Sequence, residues 1–127
     1  MSTASLRARY LGDTVTTASL QRLLVMLYDR LVLDLVNAES YAQGLDFERM
    51  SSELQHAQDI VLELRTSLDV TVWDGAQGLS DLYTFIYGEL LAANIKRDAA
   101  KISTCRGLVE PLRDAWRQAA LQLLQTG

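Results

Sequence analysis

One histidine, one cysteine and a scatter of carboxylates are the residues of this 127-residue chain with chemistry to offer. Glu53 and His56 form an E-x-x-H unit, the spacing by which helical bundles set two metal ligands one turn apart. A dinuclear site needs two such units, and His56 is the only histidine. Both residues also fall on the polar side of the helix they share, so no metal ligand is assigned. A lone helical histidine can instead accept a phosphoryl group, as in a histidine phosphotransfer bundle. That chemistry needs a hydrogen-bonding or cationic neighbour, and Ala57, Gln58 and Asp59 follow His56 without a lysine. Cys105 sits at core spacing, whereas a reactive thiol needs exposure and a cationic setting. No nucleophile, base and orienting group come together, and no phosphate-cradling glycine loop is present. The chain reads as a non-enzyme without a cofactor.

A formal charge of −4 and scattered cations at Arg7, Arg9, Lys96, Arg97, Lys101 and Arg106 argue against nucleic acid as a partner. The first residues, MSTASLRARYLGD, lack the apolar stretch of a secretory signal. A single cysteine cannot form an internal disulfide. These features suit a cytoplasmic protein without membrane insertion.

One proline, seven glycines and an abundance of helix formers predict an all-α chain, with no sustained alternation of strand type. A single domain is expected over 1–127, with a loosely attached N-terminal arm at 1–18 and a capping residue at Ser19. Helices are predicted at about 20–42, 47–68, 77–95 and 99–124. Gly44 is expected to end the first in the left-handed conformation, and Asn94 suits the end of the third. Asp46 and Asp98 offer caps to the second and fourth. Pro111 predicts a kink between Gly107 and Pro111. Short connections imply a mainly antiparallel four-helix bundle.

The second helix carries one regular stripe: Phe47, Met50, Leu54, Ala57, Ile60, Leu64 and Leu68. The first does not. Leu20, Leu24, Leu27, Leu31 and Leu35 make a stripe, yet Val25, Met26, Tyr28, Val32, Leu33 and Val36 lie beside it. A bilayer span needs about 20 apolar residues without internal charge, and Arg22, Asp29, Arg30 and Asp34 interrupt this run. The third helix repeats the surplus: Leu79, Leu82, Tyr83, Ile86 and Leu90 form the stripe, and Phe85, Tyr87 and Leu91 are left over. Apolar surface beyond the needs of one core predicts a partner. Tyr28, Tyr83 and Tyr87 are expected at its edge, since a ring with a polar tip suits a half-wet interface.

Four segments, in order, resemble flagellin export chaperones of the FliS type. TTASLQRLLVMLYDRL carries the TAS tripeptide, Thr17 to Ser19, and MLYD, Met26 to Asp29. AQDIVLELRTSLD (57–69), LSDLYTFIYGELLAAN (79–94) and LRDAW (112–116) resemble that family's later helices. Leu20 and Arg22 depart from the proline and the acidic residue common after TAS, which weakens that cap by about a kcal/mol or less. The resemblance implies a chaperone that binds the C-terminal region of flagellin one to one in the cytoplasm. It would block premature polymerisation and escort its guest to the flagellar type III secretion apparatus, whose export gate is a further implied partner. A histidine phosphotransfer protein or another helical scaffold is the alternative. The residues assigned to the guest groove are Leu24, Tyr28, Leu31, Ile60, Leu64, Tyr83, Ile86, Tyr87, Leu90 and Asn94. Tyr10 matches the position of a family tyrosine that covers the empty groove, and Tyr10, Leu11 and Val15 are assigned as a removable lid. The free chain is expected as a monomer or a weak homodimer.

Overall fold

The computed structural model describes residues 17–71 and 73–126. Among them are four helices and no strand: α1 Thr17–Gln43, α2 Phe47–Ser67, α3 Ala76–Lys96 and α4 Ala99–Thr126. Each helix packs on the next, and α4 returns to pack on α1, closing a four-cornered all-α bundle. Tyr10, Leu11 and Val15 lie outside the described residues.

Two of the three connections use one device. At the end of α1 the Leu45 amide donates to the Ala42 carbonyl at 3.1 Å and the Asp46 amide to the Tyr41 carbonyl at 2.8 Å. This pairing closes a helix through a left-handed residue. That residue is Leu45, with φ 61°, and not Gly44 as expected. The Asp46 side chain then accepts from the Arg49 amide at 3.3 Å and caps α2. At the end of α3, Arg97 takes φ 54°, and the Asp98 amide donates to the Ala93 carbonyl at 3.0 Å. Asp98 in turn accepts from the amides of Ala100 at 3.0 Å and Lys101 at 3.4 Å. Asn94, expected at the helix end, lies inside α3. Both turns follow the aspartate: it must face the next helix's free amides, and the residue before it makes the reversal.

Other boundaries also move. α1 begins at Thr17, so Ser19 lies within it and the boundary expected after residue 18 falls inside a helix. Thr17, Ala18 and Ser19 include no proline or glycine to stop it. α4 contains Pro111 within its span, at the position where the sequence predicts a kink. Pro111 is exposed at the surface.

The core holds Leu24, Leu31 and Leu35 of α1, Met50, Leu54, Val61 and Leu64 of α2, Ile86 and Leu90 of α3, and Ile102, Cys105 and Val109 of α4. Between them lie two tyrosines. Tyr28 and Tyr83, expected at a half-wet edge, are fully buried, and their hydroxyls hydrogen-bond to each other across the diagonal from α1 to α3. The Trp116 indole N–H donates to the Tyr28 oxygen from α4. A buried hydroxyl without a partner is costly, and these partners remove that cost.

Leu45 is exposed, so nothing packs on its side chain to compensate its left-handed backbone. Leu45→Gly should therefore raise stability by about 0.5–1 kcal/mol in chemical denaturation. Arg97→Gly should gain less, because the Arg97 guanidinium sits 4.6 Å from the centre of the Phe47 ring. Equal gains would mean that this contact contributes nothing.

Burial pushes the Tyr28 phenol up to about 12, against the smaller opposing effects of its bonds to Tyr83 and Trp116. An unfolded tyrosine loses its proton near 10. The neutral phenol thus contributes stability that is complete below pH 10 and lost as pH rises from 10 to 12, on the order of 2–3 kcal/mol. Tyr28→Phe should cost about 1–3 kcal/mol at neutral pH by removing the acceptor of the Trp116 N–H. It should also flatten the alkaline loss of stability followed by tyrosinate absorbance and circular dichroism.

Candidate partner-binding surface

A helix that turns Tyr28 inward must turn residues about half a turn away outward. On α1 the surplus therefore divides. Tyr28 and Val32 join the core, whereas Met26, Leu33 and Val36 are exposed. On α3, Tyr87 is half-buried against the core and Phe85, Leu91 and Ile95 are exposed. These two sets mark opposite corners of the bundle, since α1 and α3 are not neighbours.

Two depressions lie along α4, one at its seam with α3 and one at its seam with α1. One, of about 370 Å³, is almost wholly apolar and lies between Trp73, Leu79 and Leu82 on one side and Leu112, Ala115 and Trp116 on the other. A smaller one, about 150 Å³, is lined by Arg22 and Val25 of α1 and by Arg117, Ala120, Leu121 and Leu124 of α4. Its rim is fixed by Arg117, which donates to Asp29 at 2.7 Å. Farther along the same seam Arg106 donates to Glu39 and to Glu110, each at 2.8 Å. By contrast α2 turns Ser52, Gln55, His56 and Asp59 to solvent, with Leu62 the large apolar exception.

The residues assigned from sequence to a guest groove distribute differently. Leu24, Tyr28, Leu31, Ile60, Leu64, Tyr83, Ile86 and Leu90 are buried in the core, so the accessible apolar surface is not theirs. Tyr87 and Asn94 are half-buried on α3. Met26, Leu33, Val36, Phe85 and Leu91 carry the surface, and their signal in the sequence was the surplus beside each stripe. Ile95, Leu121 and Leu124 were missed because they lie in the last turns of their helices, past the stripes that drew attention.

The residues with chemical potential form a separate cluster on the α1–α2 seam. Asp34 is fully buried and accepts a hydrogen bond from His56 Nδ1. Arg30 Nε stands 3.0 Å from Asp34 Oδ1, which has no aligned hydrogen bond, so that attraction is electrostatic. Glu53 is partly exposed beside them. Its pKa is raised by desolvation, by the Asp34 charge and by a hydrogen bond to Asp34, against the opposing charges of Arg30 and His56. Carboxylates at Asp34 and Glu53 repel an incoming phosphoryl donor, which speaks against His56 as a phosphate acceptor. Among the described residues, no three His, Cys, Asp or Glu groups are arranged to hold a metal. Cys105 is buried, and burial pushes its thiol up to about 12, with Glu89 adding to the effect and Lys101 opposing it. That thiol is inert at neutral pH. Among the described residues no helix is long and apolar enough to cross a membrane.

A raised carboxyl pKa means that the fold prefers Glu53 protonated. Its contribution is complete below the ordinary carboxylate range and is lost as pH rises through its folded value. Glu53→Gln keeps a donor for Asp34 and removes the repulsion. It should stabilise the fold at pH 7 by about 0.5 kcal/mol or less, given the exposure of the site. The gain should vanish in melts near pH 4; a gain that persists there would exclude charge as its cause.

Comparison with known proteins agrees with this architecture. The family model described as "Flagellar protein FliS" matches residues 2–123. The flagellar secretion chaperone FliS of Bacillus subtilis (strain 168) is 32% identical over 110 residues, covering 87% of this chain and 82% of that protein. Its counterpart in Escherichia coli (strain K12) is 32% identical over 111 residues, covering 86% and 82%. That of Salmonella typhimurium is 32% identical over 108 residues, covering 84% and 80%. Matched over nearly its whole length by the family model, and at this identity by three relatives, the chain belongs to the FliS family.

Proposed function

We propose that this protein is a cytoplasmic, non-enzymatic export chaperone. It binds the C-terminal region of flagellin, prevents premature polymerisation and escorts its guest to the flagellar type III secretion apparatus. The observation that carries this reading is the pair of outward apolar faces, Met26–Leu33–Val36 and Phe85–Leu91–Ile95, which the chain's own core does not use. The name flagellar secretion chaperone, carried by its relatives, supports it. An amphipathic helical guest buries its apolar face in such surfaces. A guest engaging both corners passes over α4, where the two apolar depressions lie, because the outer face of α2 is largely polar. Tyr10, Leu11 and Val15 compete with the guest for this surface in the free chaperone.

Titration with a peptide covering the flagellin C-terminal region, followed by calorimetry and circular dichroism, tests the proposal. Binding near −8 kcal/mol or stronger is expected, with a gain of helix and a negative heat-capacity change. Removal of residues 2–15 should raise the affinity, and Leu33→Asp or Phe85→Asp should each weaken it at least tenfold without unfolding the chain. Absence of binding by both full-length and shortened protein would overturn the reading.

A further inference from the structure

Trp73, on the connection from α2 to α3, stands outside the core and is 48% exposed. Its place is nevertheless specified. Gly75 has helical dihedrals, φ −81° and ψ −7°, so its backbone does not call for a glycine. Its position before α3 tolerates glycine without demanding it, since Ser, Thr, Asn and Asp are the preferred caps. The demand comes from Trp73: a Cβ on Gly75 would stand 2.1 Å from Cζ3 and 2.8 Å from Cε3 of the indole. Gly75 is the seat of that ring. The connection is held on either side, by Asp69 accepting from the Thr71 amide at 2.9 Å and by the Ala76 amide donating to the Trp73 carbonyl at 3.1 Å. Seated in this way, the indole walls the apolar depression of about 370 Å³ between α3 and α4. Trp116 lines it from α4, while its N–H is committed to Tyr28. The chain has two tryptophans, and both line this one depression.

We propose that Trp73 is a specificity-determining residue, and that the socket between Trp73 and Trp116 takes one bulky apolar side chain of the guest, aromatic in preference to aliphatic. This rests on the export-chaperone reading. The lining offers no charge, and the Trp116 N–H is already used, so a polar side chain entering the socket would lose its water without gaining a partner. An aromatic ring loses nothing of the kind and gains the faces and edges of two indoles. A tryptophan half exposed at the rim of an apolar pocket is also the residue type on which binding energy concentrates. Gly75 keeps the Trp73 ring where it can close on the guest side chain.

Calorimetry of the full-length chain with a peptide covering the flagellin C-terminal region, and with the same peptide carrying alanine at each bulky apolar position in turn, tests it. Trp73→Ala should weaken binding about tenfold with the helical spectrum and melting temperature unchanged, and Trp73→Phe should recover most of that loss. Gly75→Ala, which keeps Trp73 but takes its seat, should weaken binding several-fold. One guest position should couple to Trp73: its replacement by alanine costs about tenfold against the wild-type chain and less than twofold against Trp73→Ala. In Trp116→Phe the remaining tryptophan is Trp73, and its emission should move to the blue and lose acrylamide quenching as the peptide binds. A peptide that binds Trp73→Ala as tightly as wild type, a loss that couples to no single guest position, or Trp73 emission unchanged in the complex would each overturn the socket and leave the chaperone reading standing. Absence of peptide binding by the full-length chain and by the chain lacking residues 2–15 would overturn both.

Discussion

The bond between Tyr28 and Tyr83 joins two helices whose backbones are not neighbours, and it does so in the middle of the core. Apolar packing alone tolerates small slips of one helix along another, because leucine faces are interchangeable to a first approximation. Two hydroxyls and an indole N–H are not interchangeable. They are satisfied only when α1, α3 and α4 stand in one register, and a slip of one turn would leave at least one of them buried without its partner. That polar cluster also settles the surface. With successive residues about 100° apart, an inward Tyr28 turns Met26 and Leu33 outward, and an inward Tyr83 does the same for Phe85 and Ile95. The exposed apolar surface is thus a consequence of how the core is fixed.

Connections between the helices reinforce that register. Asp46 and Asp98 each close one helix through their amides and cap the next through their carboxylates. A hairpin built in this way has few alternatives for the angle between its arms. Both aspartates were legible in the sequence, since a carboxylate before an apolar periodic run is a starting signal. The left-handed residues were not. Gly44 and Asn94 have the usual chemistry for that role, yet the aspartate's demand falls on its immediate predecessor, which here is Leu45 or Arg97.

The same contrast holds for the sites. α2 was legible because its buried stripe and its polar face separate by periodicity alone. Periodicity could not say which tyrosines lie inside, since the answer depends on a hydroxyl 55 residues away. Nor could it reveal that His56, read as part of a solvated face, reaches a buried Asp34 on the neighbouring helix. The apolar surplus was legible as an excess, and only the three-dimensional arrangement divides it into core and surface.

The two outer faces differ in a way that bears on solubility. On α1, Arg22, Asp29 and Arg30 stand among Met26, Leu33 and Val36, so no large patch is free of charge. On α3 the exposed residues from Phe85 to Ile95 are broken by no outward charge, and Gly88 flattens the middle of the face. An apolar patch left permanently wet invites non-specific association, which a soluble chain limits by area, by charge or by covering it. Charge accounts for the α1 face. The α3 face has no such charge, so its area or a covering partner must limit it.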